Sequence, residues 1–181
     1  MKNKIIISII LVILFIFVLF ELRNKDVNTD DIPSVKDDST FEYVFIGTQS
    51  YETEDDISVN NKYEMEYLLE KRELKNISVY TSVDSTNDNS NVNITEFEIT
   101  NIDGAAGTSY MEFKFVGTEK STNKEYKGSG ILAVSTDGIT YALRLKLDFE
   151  EPVLVISKDG KNVNISASSN EYVELVNEGE K

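Results

Sequence analysis

Hydrophobic and polar side chains alternate through most of the chain after residue 40, which is typical of β-strands with one buried face. The segment GITYALRLKLDFEEP (138–152) shows this most clearly, because its odd positions from Ile139 to Phe149 are apolar and its even positions are mostly polar. Similar runs cover residues 41–47 and 74–83. The alternation predicts a mainly β, antiparallel domain, built as a meander or a sandwich.

Two Asp-Gly dipeptides, at 137–138 and 159–160, lie between alternating runs and predict two-residue hairpin turns. A shift of one residue would move every apolar side chain to the polar face, so the pattern restricts the register. In the first hairpin the expected pairs on the apolar face are Thr136–Ile139, Val134–Tyr141, Leu132–Leu143, Gly130–Leu145, Gly128–Leu147 and Tyr126–Phe149. In the second hairpin they are Ile156–Val163 and Leu154–Ile165.

The same apolar face extends backwards along the chain through two more strands. A change of parity upstream of these strands predicts a β-bulge near Thr95 and Glu96. The expected pairs are Met111–Leu132, Phe113–Gly130, Phe115–Gly128, Phe97–Phe113 and Ile99–Met111.

The segment NNKYEMEYLLEKREL (60–74) fits two patterns. Tyr63, Met65, Tyr67 and Leu69 alternate as in a strand, but Glu, Lys, Met, Leu and Arg are good helix formers. We predict a short helix over 60–74 that covers the sheet. An α+β roll is the alternative architecture, with an apolar ligand pocket between this helix and a curved sheet. The pocket would be lined by Leu145, Leu147, Tyr63 and Tyr67.

An apolar run from Ile5 to Phe20, interrupted only by Ser8, precedes the β domain and follows two lysines. Its length suits a membrane span, and bulky residues stand where a cleaved signal peptide needs small ones. Positive flanking residues favour a cytoplasmic N-terminus. We predict a cytoplasmic N-terminus (1–4), a transmembrane signal anchor (5–22), a flexible acidic stalk (23–40), an extracytoplasmic domain (41–176) and a disordered tail (177–181).

The composition narrows the chemistry. Among 181 residues, 32 are acidic and 18 are basic, giving a net charge of −14, which argues against binding nucleic acid. The chain has no cysteine and no histidine, so thiol chemistry, disulfides and the usual general base are excluded. We therefore expect no enzyme activity, cofactor or metal. Carboxylate pairs such as Glu98–Glu112 and Glu125–Glu150 leave a carboxylate-dependent hydrolase as the remaining enzymatic alternative.

Three groups of residues are candidate sites, and each has a simpler interpretation. Gly128 and Gly130, opposite leucines, would leave a trough for a ligand unless Phe113 and Phe115 cover them. The loop DSTNDNSN (84–91) alternates oxygen ligands but lacks the Gly and Glu of a calcium loop. The third group is a candidate anion-binding patch on the charged face of the sheet, formed by Arg144, Lys146 and Lys127. Its simpler interpretation is an ordinary solvated sheet surface.

These features predict a single-pass bacterial membrane protein with its N-terminus in the cytoplasm and its β domain outside. The domain is expected to act as a non-enzymatic interaction or accessory module at the cell envelope. Its expected partner is another protein or an envelope component, and residues 5–22 contact the membrane. The alternative function is binding of a small ligand in the pocket beside helix 60–74.

Overall fold

The computed structural model describes residues 42–180 except 70, 85, 106 and 137–140, and the described residues form ten strands without a helix. No helix in these ranges is long and apolar enough to cross a membrane, and the predicted anchor and stalk lie outside them. The strands are β1 (Glu42–Glu52), β2 (Ser58–Leu68), β3 (Glu73–Val83), β4 (Asn89–Ala105), β5 (Thr108–Glu119), β6 (Glu125–Thr136), β7 (Tyr141–Phe149), β8 (Leu154–Lys158), β9 (Lys161–Ile165) and β10 (Val173–Glu180).

Eight antiparallel strands close into a barrel in the order β1-β10-β7-β6-β5-β4-β3-β2. The prediction of a mainly β, antiparallel domain is confirmed, with a sheet that closes on itself. Closure removes the exposed sheet edges that an open meander would present. The predicted disordered tail at 177–181 is wrong for its described part, because β10 continues to Glu180 and pairs Asn177 with Phe45. These polar residues supply the backbone partners that β1 needs.

The predicted helix over 60–74 is wrong. Strand β2 ends at Leu68, a turn follows, and β3 begins at Glu73. Helix propensity is a weak preference, and here it is overridden by backbone pairing of β2 with β1 on one side and β3 on the other. The α+β roll and its helix-covered pocket are excluded with the helix.

The predicted faces are correct, but two of the registers are wrong. The pairs of Met111, Phe113 and Phe115 with β6 are confirmed, as are both pairs of the β8–β9 hairpin. In the β6–β7 hairpin Thr136 pairs with Tyr141, so every predicted pair shifts by two residues. A shift of two keeps each side chain on its face. The observed pairs include Val134–Leu143, Leu132–Leu145, Gly130–Leu147 and Gly128–Phe149.

Strand β4 carries the predicted bulge, between Ile94 and Glu96, and a second bulge between Ile99 and Asn101. Its pairing with β5 therefore differs from the predicted pairing: Phe97 faces Phe115 and Ile99 faces Phe113. Bulges bend a strand and increase its twist. The two bulges of β4 shape the barrel end described below.

Alternate residues of every barrel strand fill the interior, as expected for an eight-stranded barrel. The interior contains mostly aromatic and aliphatic side chains, and most polar side chains of the strands lie outside. The largest fully buried side chains of this interior include Tyr63, Met65, Tyr67, Ile77, Ile94, Phe113, Leu132, Leu143, Leu145 and Leu147.

The β8–β9 hairpin stands apart from the barrel sheet and packs over one end of the barrel. Ile156, Val163 and Ile165 form a second apolar cluster with Ile57, Val59 and Val83, which lie on the ends of β2 and β3. The hairpin therefore closes this end, which we call the capped end. The opposite end carries the β2–β3 turn and the β4–β5 turn, and we call it the mouth.

Candidate functional site

The two glycines predicted to leave a trough lie beneath phenylalanine rings. A Cβ atom added at Gly128 would approach Cζ of Phe115 to 2.5 Å, and one added at Gly130 would approach Cε2 of Phe113 to 2.7 Å. The rings therefore occupy the space that a ligand would need. The simpler interpretation, aromatic side chains packed over glycines, describes the structure.

The four residues predicted to line a ligand pocket, Leu145, Leu147, Tyr63 and Tyr67, are buried inside the barrel. The Tyr63 hydroxyl donates a hydrogen bond to the carbonyl of Ala167 at 3.1 Å, and burial raises the pKa of this phenol. Of the four, only Tyr67 also lines a cleft, at the mouth.

The three predicted anion-binding cations lie on the outside of the barrel and do not converge. Lys127 lies opposite Val116, whereas Arg144 lies opposite Ala133, six positions further along β6 and so roughly 20 Å away. Arg144 also donates to a carboxylate oxygen of Glu174 at 3.1 Å. Lys146 lies opposite Ile131, rather than Ser129 as predicted. These positions describe a solvated, partly paired face.

The remaining polar candidates are the loop before β4 and the carboxylate pairs. In the loop before β4, Asp84 accepts a hydrogen bond from Asn60 at 2.6 Å, and the described residues include no cluster of three or more potential metal ligands. Glu98 faces Lys114 rather than Glu112. The predicted Glu98–Glu112 pair is therefore not formed.

A belt of polar groups crosses the barrel interior below the capped end. Asn61 is 1% exposed; its side chain accepts from Thr81 Oγ1 at 2.8 Å and donates to the carbonyl of Ser166 at 3.3 Å. The Tyr51 hydroxyl also donates to this carbonyl, at 2.8 Å. The chain after β9 thus enters the barrel end and is held by side chains of β1 and β2. Because buried polar groups require partners, these bonds fix the position of the hairpin.

Glu119, at the end of β5, is 5% exposed and accepts five hydrogen bonds. One oxygen accepts from the Asn91 backbone at 3.2 Å, and the other accepts from the backbone and hydroxyl groups of Ser121 and Thr122 at 2.7 to 3.0 Å. Burial alone would raise the pKa of this carboxyl. The hydrogen bonds to Ser121, Asn91 and Thr122 outweigh burial and lower the pKa to about 2. The carboxylate is a structural clamp on the β5–β6 turn.

Glu119→Gln should reduce the free energy of unfolding at pH 7 by about 2–3 kcal/mol, because the amide keeps one acceptor oxygen and its NH₂ group cannot accept the hydrogen bonds made at the other. This contribution is present above the unfolded-state pKa and is lost as pH falls from about 4.5 towards about 2. Denaturant melts across this pH range should show that the wild type and Glu119→Gln become closer in free energy of unfolding as the pH falls. Glu125→Gln, at an exposed position, should cost no more than about 0.5 kcal/mol. A pH-independent difference for Glu119→Gln would contradict the clamp.

The mouth opens because β3 and β4 separate. Their described pairs run only from Ile77–Ile94 to Ser82–Asn89, and beyond Ile94 strand β4 continues with β5 while β3 continues with β2. The two bulges of β4 lie in this diverging part. The interior face of β4 is therefore progressively uncovered: Phe97 is half-buried, Ile99 is 43% exposed and Ile102 is 64% exposed.

The separation leaves a cleft of about 830 Å³ at the mouth. One wall continues the apolar interior face, with Ile102, Met111, Val134 and Tyr141, above Leu132. The other wall contains Tyr67 and Leu69. Tyr141, predicted to be in the core, lies on the predicted face but is 51% exposed because the strands end here.

The rim of the cleft carries two cations in the turn between β2 and β3. Lys71 and Arg72 are exposed and form no ion pair with another described residue. Among the described lining residues the one carboxylate is Asp103, which accepts a hydrogen bond from the Gly104 backbone at 2.7 Å. The described part of the cleft therefore combines apolar residues at its base with two cations and one carboxylate at its rim.

The sequence analysis missed this cleft. It gave Lys71 and Arg72 no role and assigned Ile99 and Tyr141 to the apolar face. A sequence signal was present, since apolar positions of the core face continue to Ile102, close to the Gly104 and Gly107 turn. These positions are exposed because β3 no longer pairs with β4 there, and the residues near Ile102 do not indicate where that pairing ends.

Comparison with known proteins gives no match: no family model fits the chain, and neither a curated protein nor a solved structure resembles it significantly.

Proposed function

We propose that the chain is a non-enzymatic binding protein, held at the outer face of the cell membrane by residues 5–22, whose barrel binds an envelope component in the cleft at its mouth. The observation that carries the proposal is the mouth itself. Apolar interior positions are exposed there beside two cations that have no ion-pair partner in the described part of the chain, while the opposite end is capped by the β8–β9 hairpin.

Solvent-exposed apolar positions that converge on a cleft favour binding over a purely structural role. Ile99 and Ile102 lie on the core face of β4, so their exposure follows from the opening of the wall. The filled barrel below the cleft is a rigid support for it. The apolar segment 5–22, with its basic N-terminal flank, supports the proposed anchor and orientation.

Single cysteines provide a direct test, because the chain contains none. Val155→Cys, 58% exposed at the capped end, should react with a membrane-impermeant maleimide on intact, wall-stripped cells. Ile102→Cys, 64% exposed at the mouth, should react at least about threefold more slowly in cells than in purified protein, because the occupant shields it. Val155→Cys should react at the same rate in both.

Each half of the proposal has its own contradicting result. Labelling of Val155→Cys only after lysis would show that the domain is inside the cell. Equal rates for Ile102→Cys in cells and in purified protein would show that the mouth holds nothing in the cell.

A further inference from the structure

The charge of the rim restricts what the mouth can hold. Lys71 and Arg72 face the cleft without a described ion-pair partner, in a protein whose acidic residues outnumber its basic ones by 32 to 18. A pair of cations at the edge of a cleft with an apolar base is complementary to an anion that has an apolar body.

The backbone at the rim supports this assignment. Arg72 has φ of 52°, in the left-handed region, and its backbone N–H donates to the Leu69 carbonyl at 3.3 Å. Glycine or asparagine would adopt this conformation more readily, and arginine incurs a steric cost of about 1 kcal/mol there. A large cation at such a position is a reason to look for a role for its side chain.

The guanidinium acts on the cleft wall. Burial raises the pKa of the Tyr67 phenol, and the charge of Arg72 opposes this rise. Tyr67 and Arg72 both line the cleft. A ligand with a charged head group could place this group beside the rim cations and its hydrocarbon chain against Tyr67.

The interior of the cleft suits hydrocarbon. Met111 and Leu132 lie at its base, and Ile102 and Val134 lie on its wall. Thr108, Ser109 and Thr136 also line it, at the ends of β5 and β6. The flexible thioether of Met111 adapts to chains of different shape. The volume of about 830 Å³ lies within the roughly 300–1,000 Å³ of ligand pockets.

We propose that the mouth binds a single-chain amphiphile with an anionic head group, whose chain packs against Met111 and Tyr67 and whose head group pairs with Lys71 and Arg72. This inference rests on the proposed function, since it names the envelope component bound at the mouth. The source of the ligand is either a free fatty acid or one chain of an anionic membrane lipid, and both present the same chemistry.

Methionine methyl groups report on the site. Met111 lines the cleft, whereas Met65 lies deeper and is fully buried. The full chain, labelled with ¹³C-methyl methionine in nanodiscs of neutral phosphatidylcholine, is titrated with octanoate, octanol and octylammonium. Octanoate should shift the Met111 resonance saturably, with Met65 nearly unchanged. Octanol should bind more weakly, and octylammonium more weakly still.

Lys71→Ala combined with Arg72→Gly should weaken octanoate binding by about 5- to 30-fold, as expected for two exposed charge pairs, and should leave octanol binding unchanged. Glycine is chosen at 72 because it keeps the turn conformation. Lys161→Ala, an exposed cation on β9 at the capped end, should leave both affinities unchanged.

Nanodiscs containing phosphatidylglycerol distinguish the sources. A Met111 shift without added octanoate would identify a membrane lipid as the occupant, and a shift that requires octanoate would identify a free amphiphile. Equal binding of octanoate and octylammonium, or no Met111 shift with any of these anions, would overturn the inference. The proposed function would still stand if Ile102→Cys remained shielded in cells, because that result does not depend on the class of occupant.

Discussion

Phe113→Ala should lower the free energy of unfolding by about 3–5 kcal/mol, the usual cost of removing a buried ring. Phe113 is 1% exposed, and its ring centre lies 5.6 Å from that of Phe97 in an edge-to-face arrangement. The ring also covers Gly130, which has no side chain to fill the space left behind. The loss should therefore include a cavity on two strands. Denaturant melts of residues 38–181 measure it.

Lys146→Ala provides the comparison on the opposite face of the sheet. Lys146 lies on β7, two strands from Phe113, at a position that points away from the barrel interior. Its replacement should change the free energy of unfolding by no more than about 0.5 kcal/mol. Equal costs for the two variants, or a larger cost for Lys146→Ala, would mean that the faces of the sheet are assigned wrongly.

Asn61→Asp should cost at least about 3 kcal/mol at pH 7, because it places an unpaired charge in the barrel interior. The amide donates to the Ser166 carbonyl, and a carboxylate would instead repel this oxygen. Burial should raise the pKa of the new carboxyl above its unfolded value. The unfolded state then loses its proton first as pH rises, so the penalty is absent below about pH 4 and grows above it.

The control for this variant is Asn164→Asp, which adds the same charge at an exposed position on β9. It should change the free energy of unfolding by no more than about 0.5 kcal/mol at either pH. Thermal or denaturant melts at pH 4 and pH 7 separate the two. If Asn61→Asp is tolerated equally at both values, the polar belt is open to water and does not hold the hairpin as described.

The sequence predicted the strands and their faces better than the pairing between them. The alternation places Phe113, Leu132 and Leu147 in the core, and all three are there. The Asp-Gly dipeptide predicts too short a hairpin between β6 and β7, which moves the pairing by two residues. A register shift of two residues leaves every side chain on the same face of the sheet, so the hydrophobic pattern cannot detect it.

Two further features depend on parts of the chain that are distant in sequence. Residues 60–68 have side chains suited to a helix or a strand, and the β1 and β3 backbones decide between them. Ile102 has the same apolar character whether a neighbouring strand covers it or not. The candidate site therefore required the three-dimensional pairing, in particular the separation of β3 from β4.

The closure of the barrel through β1 and β10 has a consequence for when the protein can fold. Tyr43 pairs with Glu180, so the strands that close the barrel are separated by nearly the whole domain. Contacts of such high sequence separation form slowly. A chain that emerges N-terminus first, from the ribosome or across a membrane, has no partner for β1 on this side until the tenth strand arrives. In the proposed topology the domain would cross as an open chain and complete its fold only on the far side.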